Sequence, residues 1–186
     1  MSEIIDYNEQ DTLPVLESIS AWPIAQKYAI YSVCISIFHG ILPLVIDGLL
    51  GNRLFQFSGM IPIIAIFYFC FKEHKTNDLN GFLPFGRILR LSLYIGLIST
   101  PIIALWIFVL YKFIAPGLLD AIIEATRKAV EEKIPDNPDQ VEGIMSFYTK
   151  WIFTPSSMTF FALFSTVPTH LFFGCLVGLF QRKELK

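Results

Sequence analysis

Two histidines stand inside long apolar runs of this chain, His39 in the first run and His170 in the last. An ionisable side chain surrounded by apolar residues is a candidate for function, because its burial costs free energy that packing alone does not return. At similar depth His39 and His170 can face each other, a pair that would relay protons or hold a metal together with Cys34 or Cys175. The structural alternative is a neutral imidazole bonded to a serine hydroxyl or to a carbonyl freed by Pro43 or Pro168. One histidine per helix is no ligand motif, so neither a metal nor any other cofactor is expected. Asp47, near the end of the first run, reads either as a helix-end partner of Arg53 or as a third member of a small transport path with the two histidines.

The remaining chemistry is sparse. There is no phosphate-binding glycine loop and no GxSxG elbow, and no acid pair shares a helix face within an apolar run. His74 falls in a polar connection and reads as a solvated, inert residue. Cys34, Cys70 and Cys175 each lie within an apolar run without CxxC spacing, which suits small buried hydrophobes. Lys72, Lys75, Arg87 and Arg90 gather around one connection and either bind lipid phosphates or an acidic partner, or only set orientation. No catalytic residue is expected. The reading is a non-catalytic accessory or scaffold protein; the alternative is a small transporter or channel using His39, His170 and Asp47.

The elements that must position these groups are membrane spans. The 186 residues are 54% hydrophobic and 16% charged, against about 25% charged in ordinary soluble domains. Mean hydropathy is +0.57, and a formal net charge of −2 gives no reason to expect nucleic acid as a partner. Lipid is therefore the expected solvent, and the expected fold is an all-α integral membrane protein with four transmembrane helices. Runs at 28–50, 54–71, 88–114 and 156–180 supply the spans. Gly40, Pro43 and Gly48 predict a kink in the first, while Asn80-Gly81 and Pro84 mark a turn before the third. Between the third and fourth, residues 118–153 alternate apolar and charged faces around Pro135 and Pro138, the pattern of an amphipathic helical hairpin. Asn137 before Pro138, with Gln140 three positions on, is a helix start.

Basic residues set orientation. Lys27, Lys72, Lys75, Arg87, Arg90, Arg182, Lys183 and Lys186 share one side, which predicts a bacterial inner-membrane protein with both termini cytoplasmic and the hairpin outside. Tyr148, Trp151 and Trp106 would then suit the outer aromatic belt and Trp22 the inner one. The acidic segment 1–27, with Leu13, Val15, Leu16, Ile19 and Trp22, reads as a cytoplasmic docking helix. Within the bilayer, small residues permit close helix approach. Stripes run along Ser32, Ser36 and Gly40; Ser92, Gly96, Thr100 and Ala104; and Thr166, His170, Gly174 and Gly178. They serve packing within one chain or the face of a homo-oligomer. The second span, with only Gly59 and Ala65, is expected outermost.

These segments resemble a known family. Gln26-Lys27-Tyr28, Gly81-Phe-Leu-Pro-Phe85-Gly86, Arg90, Tyr111-Lys-Phe-Ile-Ala-Pro116, the charged helical stretch after it and the basic tail are similar to the DUF4199 family of small bacterial membrane proteins, found mainly in Bacteroidota. The resemblance implies four spans and no established activity, and it supplies no catalytic residue. Members tend to be encoded near membrane glycosyltransferases of the dolichol-phosphate-sugar type, which implies a partner class. The longer acidic N-terminus and His170 depart from the usual pattern, so chemistry at His170 would not be a family trait.

Overall fold

A computed structural model describes residues 19–46, 48, 49 and 52–182. The described residues are mainly helical, without a strand, and three of their helices are long and apolar enough to cross a membrane. A chain in hydrocarbon must satisfy every backbone N–H and C=O internally, and a helix does so within one segment.

Helix α1 spans Trp22–Val45 and opens on Pro23, whose missing N–H costs nothing in a first turn. It ends five residues short of the expected position 50. Pro43 sits in its last turn, Ile46 is extended, and Gly48 takes φ +80°, a left-handed conformation that suits glycine. The expected second span, 54–71, is interrupted. Helix α2, Arg53–Ser58, is capped by the Asn52 side chain, and after Gly59 helix α3 runs Met60–Asn77. It outlasts the apolar run by six residues, so Lys72 to Asn77 are helical rather than part of a loop. The connection proper is 78–84, turned by left-handed Asn80 and Gly81 and sealed by the buried Leu79 and Leu83.

Helix α4, Phe85–Val109, continues through a π-helical turn, Leu110–Ile114, as the longest apolar helix. Helices α5, Pro116–Glu131, and α6, Pro138–Phe147, follow; a second π turn, Tyr148–Ile152, leads into α7, Pro155–Gln181. Asn137 Oδ1 accepts from Gln140 N at 3.1 Å, the cap read from the sequence.

In cross-section α1 packs on α4, α4 on α7, α7 on α3 and α3 on α1. The most extensive contact joins α4 to α7. Helix α3 does not lie outside the bundle as expected: Phe67, Cys70, Phe71 and His74 are fully buried along its inner face. Its bulk complements the small residues opposite, since an atom of the Phe67 ring lies 3.1 Å from where a Cβ on Gly174 would stand.

Candidate functional site

The small-residue stripes meet one another inside the chain. A Cβ at Gly174 would overlap the Ser92 hydroxyl, and one at Gly178 would overlap the Ile88 side chain. A Cβ at Gly96 would stand 3.2 Å from His170 Cβ and 3.3 Å from the Val167 backbone. The Gly174–Gly178 spacing is therefore filled by α4 of the same chain, not left as a face for a second copy. Ser92, Ser99 and Thr100 return their hydroxyls to carbonyls one turn back on α4, to Ile88 at 2.7 Å, Ile95 at 2.7 Å and Gly96 at 2.6 Å. Each buried polar atom is satisfied without leaving its helix. Thr166 does the same to Ala162 at 2.7 Å. Ser36 is half-buried on α1, and Gly40 admits Trp106, whose Nε1 would lie 3.1 Å from a Cβ there.

His170 crosses the centre of this packing. Its Nε2 lies 2.9 Å from Ser32 Oγ, and its Nδ1 lies 2.8 Å from the Thr166 carbonyl. A carbonyl only accepts, so Nδ1 carries the proton and Nε2 receives the Ser32 hydroxyl. The Phe67 ring meets the imidazole edge-on at a centroid distance of 5.8 Å. Ser32 and His170 are 2% and 3% exposed. Side chains from α1, α3 and α7 thus converge on one neutral node, with Gly96 of α4 making room for it. A serine hydroxyl beside an imidazole is the beginning of a nucleophilic pair, but here the hydroxyl is spent on a fully enclosed brace.

His39 goes elsewhere. Its Nε2 lies 3.1 Å from Ser58 Oγ, its ring stacks on Phe55 at 4.4 Å and 2°, and Gly59 leaves the space it occupies. It stands seven residues beyond Ser32, about 10 Å along the helix. Each histidine has its own serine, and the facing pair considered from the sequence is not formed. Cys34 is exposed and Cys175 half-buried, both as free thiols. Among the described residues no three His, Cys, Asp or Glu side chains converge as metal ligands. Asp47 and its pairing with Arg53 lie outside the described residues, as do Lys183, Lys186 and most of segment 1–27.

One end of the bundle collects the basic residues, but not as a cluster. Lys27 Nζ is 2.7 Å from both Glu73 oxygens, and Tyr28 Oη donates to the same carboxylate at 2.8 Å. These bonds hold the Glu73 carboxyl below its usual range. Lys75 donates to the Gln181 carbonyl at 2.9 Å and so caps α7. Arg87 is 5% exposed and donates to the Ile19 carbonyl at 2.5 Å. Trp22 meets Tyr94 edge-on at 5.5 Å. Only Lys72 and Arg90, of the four bases singled out in the sequence, are exposed.

His74 is the residue that sequence reading missed. It is fully buried in the last turn of α3, not solvated in a loop. Its Nδ1 lies 2.7 Å from Asp78 Oδ2, while Nε2 has no hydrogen-bond partner among the described residues. Burial pushes its pKa down, aided by the Arg87 charge and opposed by Asp78. The His-x-x-x-Asp spacing was the available signal, since it sets the two side chains one helical turn apart.

Beyond the bundle, Arg127 of α5 reaches Glu142 of α6 at 2.8 Å, and Leu119, Val141 and Met145 are buried. The two π turns share a lysine held over aromatic rings. Lys112 stands 4.9 Å from Phe108, and Lys150 stands 5.4 Å from Trp151.

No match was found among curated proteins or among solved structures. Residues 27–183 match the family described as protein of unknown function (DUF4199). With that match running from the Lys27 contact at the basic end of α1 to just past α7, the chain belongs to the DUF4199 family.

Proposed function

We propose that this protein is a non-catalytic accessory or scaffold protein of a bacterial inner membrane. It has four spans, both termini in the cytoplasm, and α5 and α6 as an amphipathic hairpin on the outer face. The second span is α2 and α3 taken together, whose apolar part is bounded by Asn52 and Lys72. The carrying observation is the fate of the central polar groups: buried His170 is closed off by Ser32 and the Thr166 carbonyl, and half-buried His39 is bonded to Ser58 and stacked on Phe55 apart from it. A proton or ion path needs groups that water can reach, and a bundle closed by glycine packing leaves little room for water. The same closure supports a rigid body that presents its outer surfaces to a partner.

Internal use of Gly174 and Gly178 favours a different membrane protein, rather than a second copy, as that partner. The α5–α6 hairpin is the surface to dock it, because Leu119, Val141 and Met145 are buried while charged residues such as Lys128 and Glu131 are exposed. A membrane glycosyltransferase is the first class to try. Mild-detergent purification with crosslinking should recover a stoichiometric membrane partner whose retention fails when charges on α5, such as Lys128 and Glu131, are reversed. Proteoliposomes of the purified chain should show no proton or cation flux. Flux that disappears in His39→Leu or His170→Leu would replace the scaffold reading with that of a transporter.

A further inference from the structure

Between α3 and α7 runs a groove of about 610 Å³, lined almost wholly by apolar side chains, with Ile61, Ala65 and Tyr68 along one wall and Val177 and Phe180 along the other. That volume falls within the range of built ligand sites. At the basic end the two helices are tied together, as Gln181 Nε2 donates to the Tyr68 carbonyl at 3.0 Å. Seven residues beyond Ala65 and four beyond Tyr68, Lys72 continues the same face of α3. It is exposed and bonds to no described residue. Its neighbours differ, for Lys27 is spent on Glu73 and Lys75 on the Gln181 carbonyl. Lys72 is not part of the lining itself; it stands one turn beyond Tyr68 at the end of the groove, and side chains on a helix lean toward its N-terminus, which is the direction of the groove.

On α3 the groove is lined from Ile61 to Phe69, about 12 Å at the helical rise, and Lys72 lies about 16 Å from Ile61, close to one leaflet of a hydrocarbon core about 30 Å thick. We infer that this groove seats one acyl chain of an anionic phospholipid of the cytoplasmic leaflet, with the lipid phosphate on Lys72. Charge and shape agree: an apolar slot is followed, one turn on, by an uncommitted cation, and the two together span one leaflet. The inference rests on α3 being a span, and the test separates the two.

Purified protein would be exchanged into nanodiscs of phosphatidylcholine and phosphatidylglycerol, and retained lipids counted by native mass spectrometry. The wild type should keep one phosphatidylglycerol in preference to phosphatidylcholine by about fivefold, the worth of one lysine near a charged headgroup. Lys72→Gln should erase that preference while leaving thermal stability unchanged. Ala65→Phe, which fills the slot, should lose the retained lipid of either kind. Equal retention of the two lipids by the wild type, or an undiminished preference in Lys72→Gln, would overturn the inference. So would a dimer that occupies the groove. Reporter fusions at Asn52 and Asn80 test the span itself: opposite sides are expected, and the same side would overturn the four-span reading whatever the lipids show.

Discussion

The α4–α7 seam is buried and the basic end of the bundle is partly open to water, and the two are held by different means. Along the seam nothing is charged. Ser92 and Ile88 sit where Gly174 and Gly178 have no side chain, so the contact is shape alone. At the basic end charged donors are added to apolar packing around Leu79 and Leu83: Lys27 to Glu73, Lys75 to Gln181 and Arg87 to Ile19 join different elements. The difference follows from the solvent each region meets. In hydrocarbon, apolar surface gains nothing by leaving the lipid, and close dispersion contact decides which helices pair. At the water boundary charges keep their hydration, and ion pairs fix the angles of the helix ends at modest energy. The seam should therefore respond to side-chain volume and ignore salt and pH, while the end should respond to salt and pH as well.

The largest test of that contrast is volume in the seam. Gly174→Leu together with Gly178→Leu should cost about 1–3 kcal/mol or more of overpacking, seen as a fall in the melting temperature of the detergent-purified protein. A variant as stable as the wild type would mean that α4 and α7 do not meet there. Next is the node at the centre. His170→Leu should cost about 1 kcal/mol, the scale of side-chain hydrogen bonds between membrane helices, and Ser32→Ala should add little once His170 is gone. Additive losses would show that the two side chains act apart.

A smaller effect belongs to His74. Its pKa is lowered in the folded chain from an ordinary value near 6.5, so the unfolded state takes up a proton first as pH falls. The stability that His74 contributes is complete above that value and declines as the pH drops below it. Melting temperature should fall between neutral and mildly acidic pH, and His74→Gln should flatten that part of the curve. A flat wild-type profile would place the imidazole in water. Smallest is the Lys27–Glu73 pair, exposed enough for salt to screen it. Glu73→Gln should lower the melting temperature slightly at low ionic strength and not at all at high salt, and a loss that persists in high salt would assign Glu73 a different role.

Much of the fold was legible because lipid imposes a strict rule. Runs long enough to span must be helices, and Ser92, Gly96, Gly174 and Gly178 announced by spacing which faces come close. The limits of α1 and α3 were not legible for the same reason. Hydropathy reports what lies in hydrocarbon, whereas helices begin and end on caps and backbone geometry, so α3 runs on through Lys72 to Asn77. His74 was misplaced by that boundary. The partners of His39 and His170 were hidden for a second reason. Sequence shows which residues share a face, but not how one helix is rotated against the next, and that rotation gave Ser58 to one histidine and Ser32 to the other. The basic residues looked like one cluster because their bonds to Glu73 and to the Gln181 and Ile19 carbonyls cross between elements distant in the chain.

Closure of the bundle within one chain is tested most directly by a crosslink across the seam. A Cβ at Gly96 lies 3.2 Å from His170 Cβ, close to the spacing of about 3.8 Å that a disulfide requires. In a chain with Cys34, Cys70 and Cys175 replaced by Ala, the pair Gly96→Cys and His170→Cys should oxidise in native membranes to an internally bridged monomer. Disulfide-linked dimers instead, or two thiols that stay free under oxidant, would contradict it.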